Sequence, residues 1–91
     1  MMTKEWITEF QGHKIRVVKD WLAEAKLYVD GDCRDVNRQL VTMASRTPLL
    51  SAKLDLDDGR RFSIVEVFMT SMLTTKAKIC IDGRQVGGES F

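Results

Sequence analysis

Hydrophobic and polar positions alternate along most of this chain, in short runs that end at glycine-containing turns. The plainest run is Ala25-Lys26-Leu27-Tyr28-Val29, followed by Asp30-Gly31-Asp32. Every second residue is apolar, the period of a strand with one face buried. Asp-Gly tolerates the positive φ that a two-residue hairpin turn requires. The arrangement returns as Ala77-Lys78-Ile79-Cys80-Ile81, followed by Asp82-Gly83-Arg84. A third Asp-Gly, Asp58-Gly59, closes the clearest amphipathic run, in which Leu50, Ala52, Leu54 and Leu56 alternate with Ser51, Lys53, Asp55 and Asp57.

Taken in order, the pattern predicts a first strand over 3–10, with Trp6, Thr8 and Phe10 on one face and Ile7 and Glu9 on the other. Gln11-Gly12 turns the chain into a second strand over 13–19, Ile15 and Val17 facing inward. Val18 breaks the alternation there, which implies a bulge or cover on both faces. Residues 20–24 read as a connection, although Asp20-Trp21-Leu22-Ala23-Glu24 also has the composition of a capped helix start. Residues 35–43 are ambiguous too. Val36, Leu40 and Met43 recur at helical spacing behind Asp35 as a candidate N-cap. The preceding Asp-Gly turn asks instead for a returning strand, and the strand is the expectation. Residues 44–48 form a loop ending at the only proline, Pro48. From 60 to 70, Val65, Val67 and Met69 take one face, and Phe62, Ile64 and Phe68 take the other with Glu66. Apolar residues on both faces mark a central strand, or a face left over for a partner. Runs at 77–81 and 85–91 supply the last two strands, with Gly87-Gly88 breaking the last.

About eight short strands with regular turns define an all-β domain, a small antiparallel β-sandwich or a partly closed barrel. Its 91 residues are expected to form a single domain, 1–91, with a modest core. Asp30-Gly31 and Asp82-Gly83 stand 52 residues apart; shared hairpin rules are the expected reason for that likeness, and a faint duplication is the alternative.

Charge narrows the function classes. Lys plus Arg number 14 and Asp plus Glu 13, so the chain lacks the basic field that holds phosphates or an anionic membrane surface. No apolar run reaches the roughly 20 residues of a membrane helix, and the N-terminus lacks the apolar core of a signal peptide. Two cysteines, Cys33 and Cys80, suit a reducing compartment, so a cytoplasmic location is expected. Cys80 falls opposite Ile79 and Ile81 in the alternation, which places it as a surface or second-layer thiol.

Candidate chemistry is sparse. His13 is the only histidine, and no spacing joins it to Cys33 or Cys80 as a metal or nucleophilic site. Asp55, Asp57 and Asp58 cluster beside a turn, but the twelve-residue calcium-loop series is missing. No phosphate-binding glycine loop is present. No catalytic, metal or cofactor residues are therefore expected. Aromatic residues do not interleave with a basic stripe in the sequence, which argues against an RNA-stacking platform. The candidate interface residues are Trp21 and Leu22, in a predicted connection, and Phe62, Ile64 and Phe68, on the second apolar face of one strand.

Trp6, then Gly12-His13-Lys14-Ile15, then Tyr28-Val29-Asp30-Gly31 resemble the opening of the Fas apoptotic inhibitory molecule family. Ile81-Asp82-Gly83-Arg84 is similar to a later turn of that family. The resemblance implies a small antiparallel β-sandwich and brings no catalytic residues with it. Trp21-Leu22-Ala23-Glu24 departs from the polar, glycine-containing turn usual there, and residues 41–48 match poorly. The functional expectation is a non-enzymatic protein-interaction or assembly module, with a protein partner or self-association. The alternative is a small-molecule-binding domain or enzyme subunit, with a pocket at one end of the sandwich near Trp21, His13 or Cys80.

Overall fold

The computed structural model describes residues 3–20, 24–38, 47–56, 59–70 and 75–91. They form eight strands: β1 Thr3–Phe10, β2 His13–Asp20, β3 Ala25–Val29, β4 Asp32–Asn37, β5 Leu50–Leu56, β6 Arg61–Thr70, β7 Lys76–Ile81 and β8 Arg84–Gly88. Each group of four is an antiparallel meander, β1-β2-β3-β4 and β5-β6-β7-β8. The two sheets are not hydrogen-bonded into a closed barrel. They stack as a sandwich around one core drawn from both, in which Ile15, Val17, Leu27, Val65, Val67, Met69 and Ile79 are fully buried. Each such side chain contributes about 1.5–3 kcal/mol of burial. Described residues include no helix long and apolar enough to cross a membrane.

Three hairpins turn on positive-φ pairs: Gln11-Gly12, Asp30-Gly31 and Asp82-Gly83. The latter two are tied in the same way. The amide of Asp30 donates to the Lys14 carbonyl at 2.9 Å, and the Lys14 amide donates back to Asp30 Oδ1 at 2.9 Å. Asp82 repeats this with Ile64, at 3.0 Å in both directions. A third bond comes to each carboxylate from the preceding residue of the facing strand, His13 in one case and Ser63 in the other. The irregularity in pairing falls at matching places too, between Leu27 and Tyr28 and between Ile79 and Cys80. The likeness of the halves therefore extends beyond the hairpin rule to topology, turn bonding and bulge.

The edges of the sandwich are sewn by side chains. Where β4 meets β5, Asp35 Oδ2 accepts from the Ser51 amide at 2.9 Å. Arg34 Nη2 donates to the Lys53 carbonyl at 3.0 Å, and Asn37 Nδ2 to the Leu49 carbonyl at 2.9 Å. Where β1 meets β8, Thr8 Oγ1 donates to the Val86 carbonyl at 3.0 Å and Trp6 Nε1 to Glu89 Oε1 at 2.7 Å. Edge backbone groups that would otherwise template another strand are thereby occupied.

These seams explain the uneven patterns. β4 inverts the usual rule, with Asp35 and Asn37 turned toward the seam and Val36 exposed. The strand expectation there holds over 32–37, while 39–43 lie outside the described residues. Val18 marks no bulge, because β2 pairs in unbroken register with both neighbours. It is instead half-buried on the outer face. Residues 21–23 also lie outside the described set, flanked by Asp20 and Glu24, which bond to each other.

Candidate functional site

β6 lies between β5 and β7, so its inward residues Val65, Val67 and Met69 enter the core. Its other face carries Phe62, Ile64, Glu66 and Phe68 outward. Register places Phe62 opposite Asp55, Ile64 opposite Lys53, Glu66 between Ser51 and Cys80, and Phe68 opposite Lys78. Phe62 is 60% exposed, Ile64 38% and Phe91 39%. The ammonium of Lys53 stands 4.8 Å from the centre of the Phe62 ring. That of Lys78 stands 5.4 Å from Phe68 and 5.1 Å from Phe91. Such contacts at exposed sites are worth about 0.5–1 kcal/mol each. The lysines were not legible as partners of these rings, because they come from neighbouring strands. Only the pairing register identifies them.

The first sheet serves as an internal control. Hairpin bonding aligns Lys14 with Ile64, a shift of 50 residues along β2 and β6. At the same shift Phe68 corresponds to Val18, whereas Phe62 has no equivalent, because β5 and β6 pair on through Asp55–Phe62 and Leu56–Arg61 where the first hairpin has already turned at Gln11-Gly12. The same scaffold position thus holds lysine in one half and isoleucine in the other. A lysine at the place of Ile64 is thus compatible with this meander build.

Other candidate residues are scattered. His13 Nδ1 lies 2.6 Å from Asp30 Oδ2 in the turn bonding. Cys33 is exposed on β4, and Cys80 is buried on the outer side of β7 beside Glu66 and Lys78. Burial pushes the Cys80 thiol up, Lys78 opposing and Glu66 adding to the shift. Among the described residues no three His, Cys, Asp or Glu side chains gather as metal ligands. Asp57, Asp58, Trp21 and Leu22 lie outside the described residues, so two of the five predicted interface positions have no placement. Phe62, Ile64 and Phe68 do come together on one face.

A shallow depression of about 220 Å³ lies on the outer face of the first sheet, lined by Glu5, Ile7, Lys14, Arg16, Tyr28 and Gly31. Arg16 in its wall is already engaged: its Nε pairs with Glu5 Oε2 at 2.7 Å, and its guanidinium carbon lies 5.2 Å from the centre of the Tyr28 ring. The volume falls below the roughly 300–1,000 Å³ of small-molecule sites.

The fold and this face define a two-sheet antiparallel β domain with an exposed aromatic and aliphatic surface. Comparison with family models, curated proteins and solved structures returned no match.

Proposed function

We propose that this chain is a non-enzymatic protein-interaction or assembly module whose docking surface is the outer face of β5–β8. The observation that carries the reading is the exposure of Phe62 and Ile64 on the outer face of the second sheet, Ile64 at a position where the equivalent half has lysine. Exposed apolar patches on small domains mark interaction sites when the fold has no use for them. The face is a sheet surface rather than a groove, which suits a folded protein better than an extended peptide. Asp55 and Glu66 stand among its lysines, which disfavours nucleic acid and anionic membrane. Two unpaired thiols support a reducing, cytoplasmic setting. The likeness of Trp6, His13-Lys14-Ile15 and Tyr28-Val29-Asp30-Gly31 to the Fas apoptotic inhibitory molecule family is in keeping with a sandwich fold and adds no site.

Parallel capture from native lysate with the tagged wild-type chain and with Ile64→Lys tests the reading. A protein retained in stoichiometric amount by the wild type, the chain's own copy included, is expected to be lost with the variant. Retention that the substitution leaves unchanged overturns the proposal, as does the absence of any stoichiometric protein from a chain that also stays monomeric up to about 1 mM.

A further inference from the structure

We infer that the partner of this face is a second copy of the same chain, docked second sheet against second sheet about a twofold axis. The inference rests on the reading of that face as a docking surface. A twofold interface brings one patch against itself, so the patch must be complementary to itself. A face of one sign would repel its copy. This one carries Lys53, Lys76 and Lys78 with Asp55 and Glu66, charges of both signs around Phe62, Ile64 and Phe68. Lys53 lies 3.9 Å from Asp55 within the chain. Glu66 and Lys78 make no ion pair among the described residues, and the Lys78 ammonium rests only on the Phe68 and Phe91 rings. They are charges of opposite sign left for a partner, and across a twofold axis Glu66 of each copy can meet Lys78 of the other.

Size agrees with a modest dimer. Four strands spaced about 4.8 Å apart, with about seven residues each at about 3.4 Å, present roughly 450 Å² in projection. A standard interface buries about 800 Å² per partner, so the pair belongs at the weak end and calls for micromolar concentrations. A 91-residue chain with a small core gains from covering that area.

Sedimentation velocity of the purified full chain, from about 1 µM to about 1 mM, reads the outcome. Wild type is expected to shift from monomer to dimer with rising concentration. Ile64→Lys, Glu66→Lys and Lys78→Glu are each expected to weaken the dimer by at least about tenfold, since like charges then meet across the axis. An equimolar mixture of Glu66→Lys and Lys78→Glu chains is expected to recover dimer, because one carries only cations at the two positions and the other only anions. Circular dichroism melts confirm that each variant is folded before it is scored. A wild type that stays monomeric throughout overturns self-pairing, while Ile64-dependent capture of a different protein leaves the docking reading standing. A dimer indifferent to all three substitutions overturns self-pairing through this face. Disruption by each single variant without recovery in the mixture overturns the Glu66–Lys78 pairing.

Discussion

At the residue scale, the close approach of β8 depends on two glycines. Gly88 has φ near +83°, and a Cβ there would meet the Ala77 carbonyl oxygen, which already accepts from the Glu89 amide at 2.7 Å. A Cβ on Gly87 would meet the Thr8 side chain at 2.7 Å. Gly31 has a similar φ with open space around it. Gly88→Ala is therefore expected to cost more than about 2 kcal/mol, backbone strain plus clash, against about 1 kcal/mol for Gly31→Ala. Urea unfolding of both variants compares them, and equal costs would refute the account. Three carboxylates tie the acid response to the same bonds. His13 and the Lys14 amide hold Asp30 below its ordinary 3.8, Ser63 and the Ile64 amide hold Asp82 below 3.8, and the Trp6 indole, helped by Lys4, holds Glu89 below 4.5. A carboxylate depressed in the folded state gives its full stabilisation above the unfolded pKa and loses it as pH falls through the folded one. Melting temperature is expected to be level above about pH 5 and to fall steeply below about pH 4. The Asp30→Asn, Asp82→Asn double variant should show a shallower acid limb. A limb of unchanged slope would remove these groups from the explanation.

At the element scale, the strands that read worst are those whose polar residues do structural work at a seam. Asp35 and Asn37 occupy positions an alternating strand reserves for apolar side chains, and they bond the Ser51 amide and the Leu49 carbonyl of the neighbouring sheet. Removing either leaves a partner backbone group unsatisfied at about 1 kcal/mol each. Asp35→Ala with Asn37→Ala is expected to lower urea stability by about 2 kcal/mol. It is also expected to raise the tendency to aggregate, since the edge of β5 becomes free to pair. Light scattering on the folded variant checks the second effect, and an edge that stays inert would show the side chains to be dispensable cover.

Across the whole molecule, two meanders of the same build present different outer surfaces. The first offers Lys14, Arg16 and Tyr28 with Ile7 exposed among them, and the second groups Phe62, Ile64 and Phe68 along one strand. Because Lys14 occupies the place of Ile64 in the same scaffold, Ile64→Lys is expected to change monomer stability by less than about 0.5 kcal/mol. Val65→Lys, one position along and fully buried, is expected to prevent folding. Circular dichroism melts of the two variants at low concentration check the contrast. A large loss with Ile64→Lys would return the apolar face to a structural role. The buried Cys80 and exposed Cys33 provide a second whole-fold test. One thiol should react with Ellman's reagent in the native protein and both in urea, because burial keeps Cys80 protonated and out of reach.

Alternation and Asp-Gly turns were sufficient, on their own, to specify an all-β chain, most strand positions and the inward set Ile15, Val17, Leu27, Val65, Val67 and Ile79. These are local properties: a period of two sets the face, and tolerance of positive φ sets the turn. Phe62, Ile64 and Phe68 were legible as a second apolar face for the same reason. Everything that depends on a neighbour far along the chain waited for the tertiary structure. Lys53 and Lys78 over the rings, the Asp35 and Asn37 seam, the fit of Gly87 and Gly88 against β1 and β7, and the matching bonds of Asp30 and Asp82 all arise from register and sheet stacking. Local pattern fixes which way a side chain points, whereas only the packed sheets decide what it meets there.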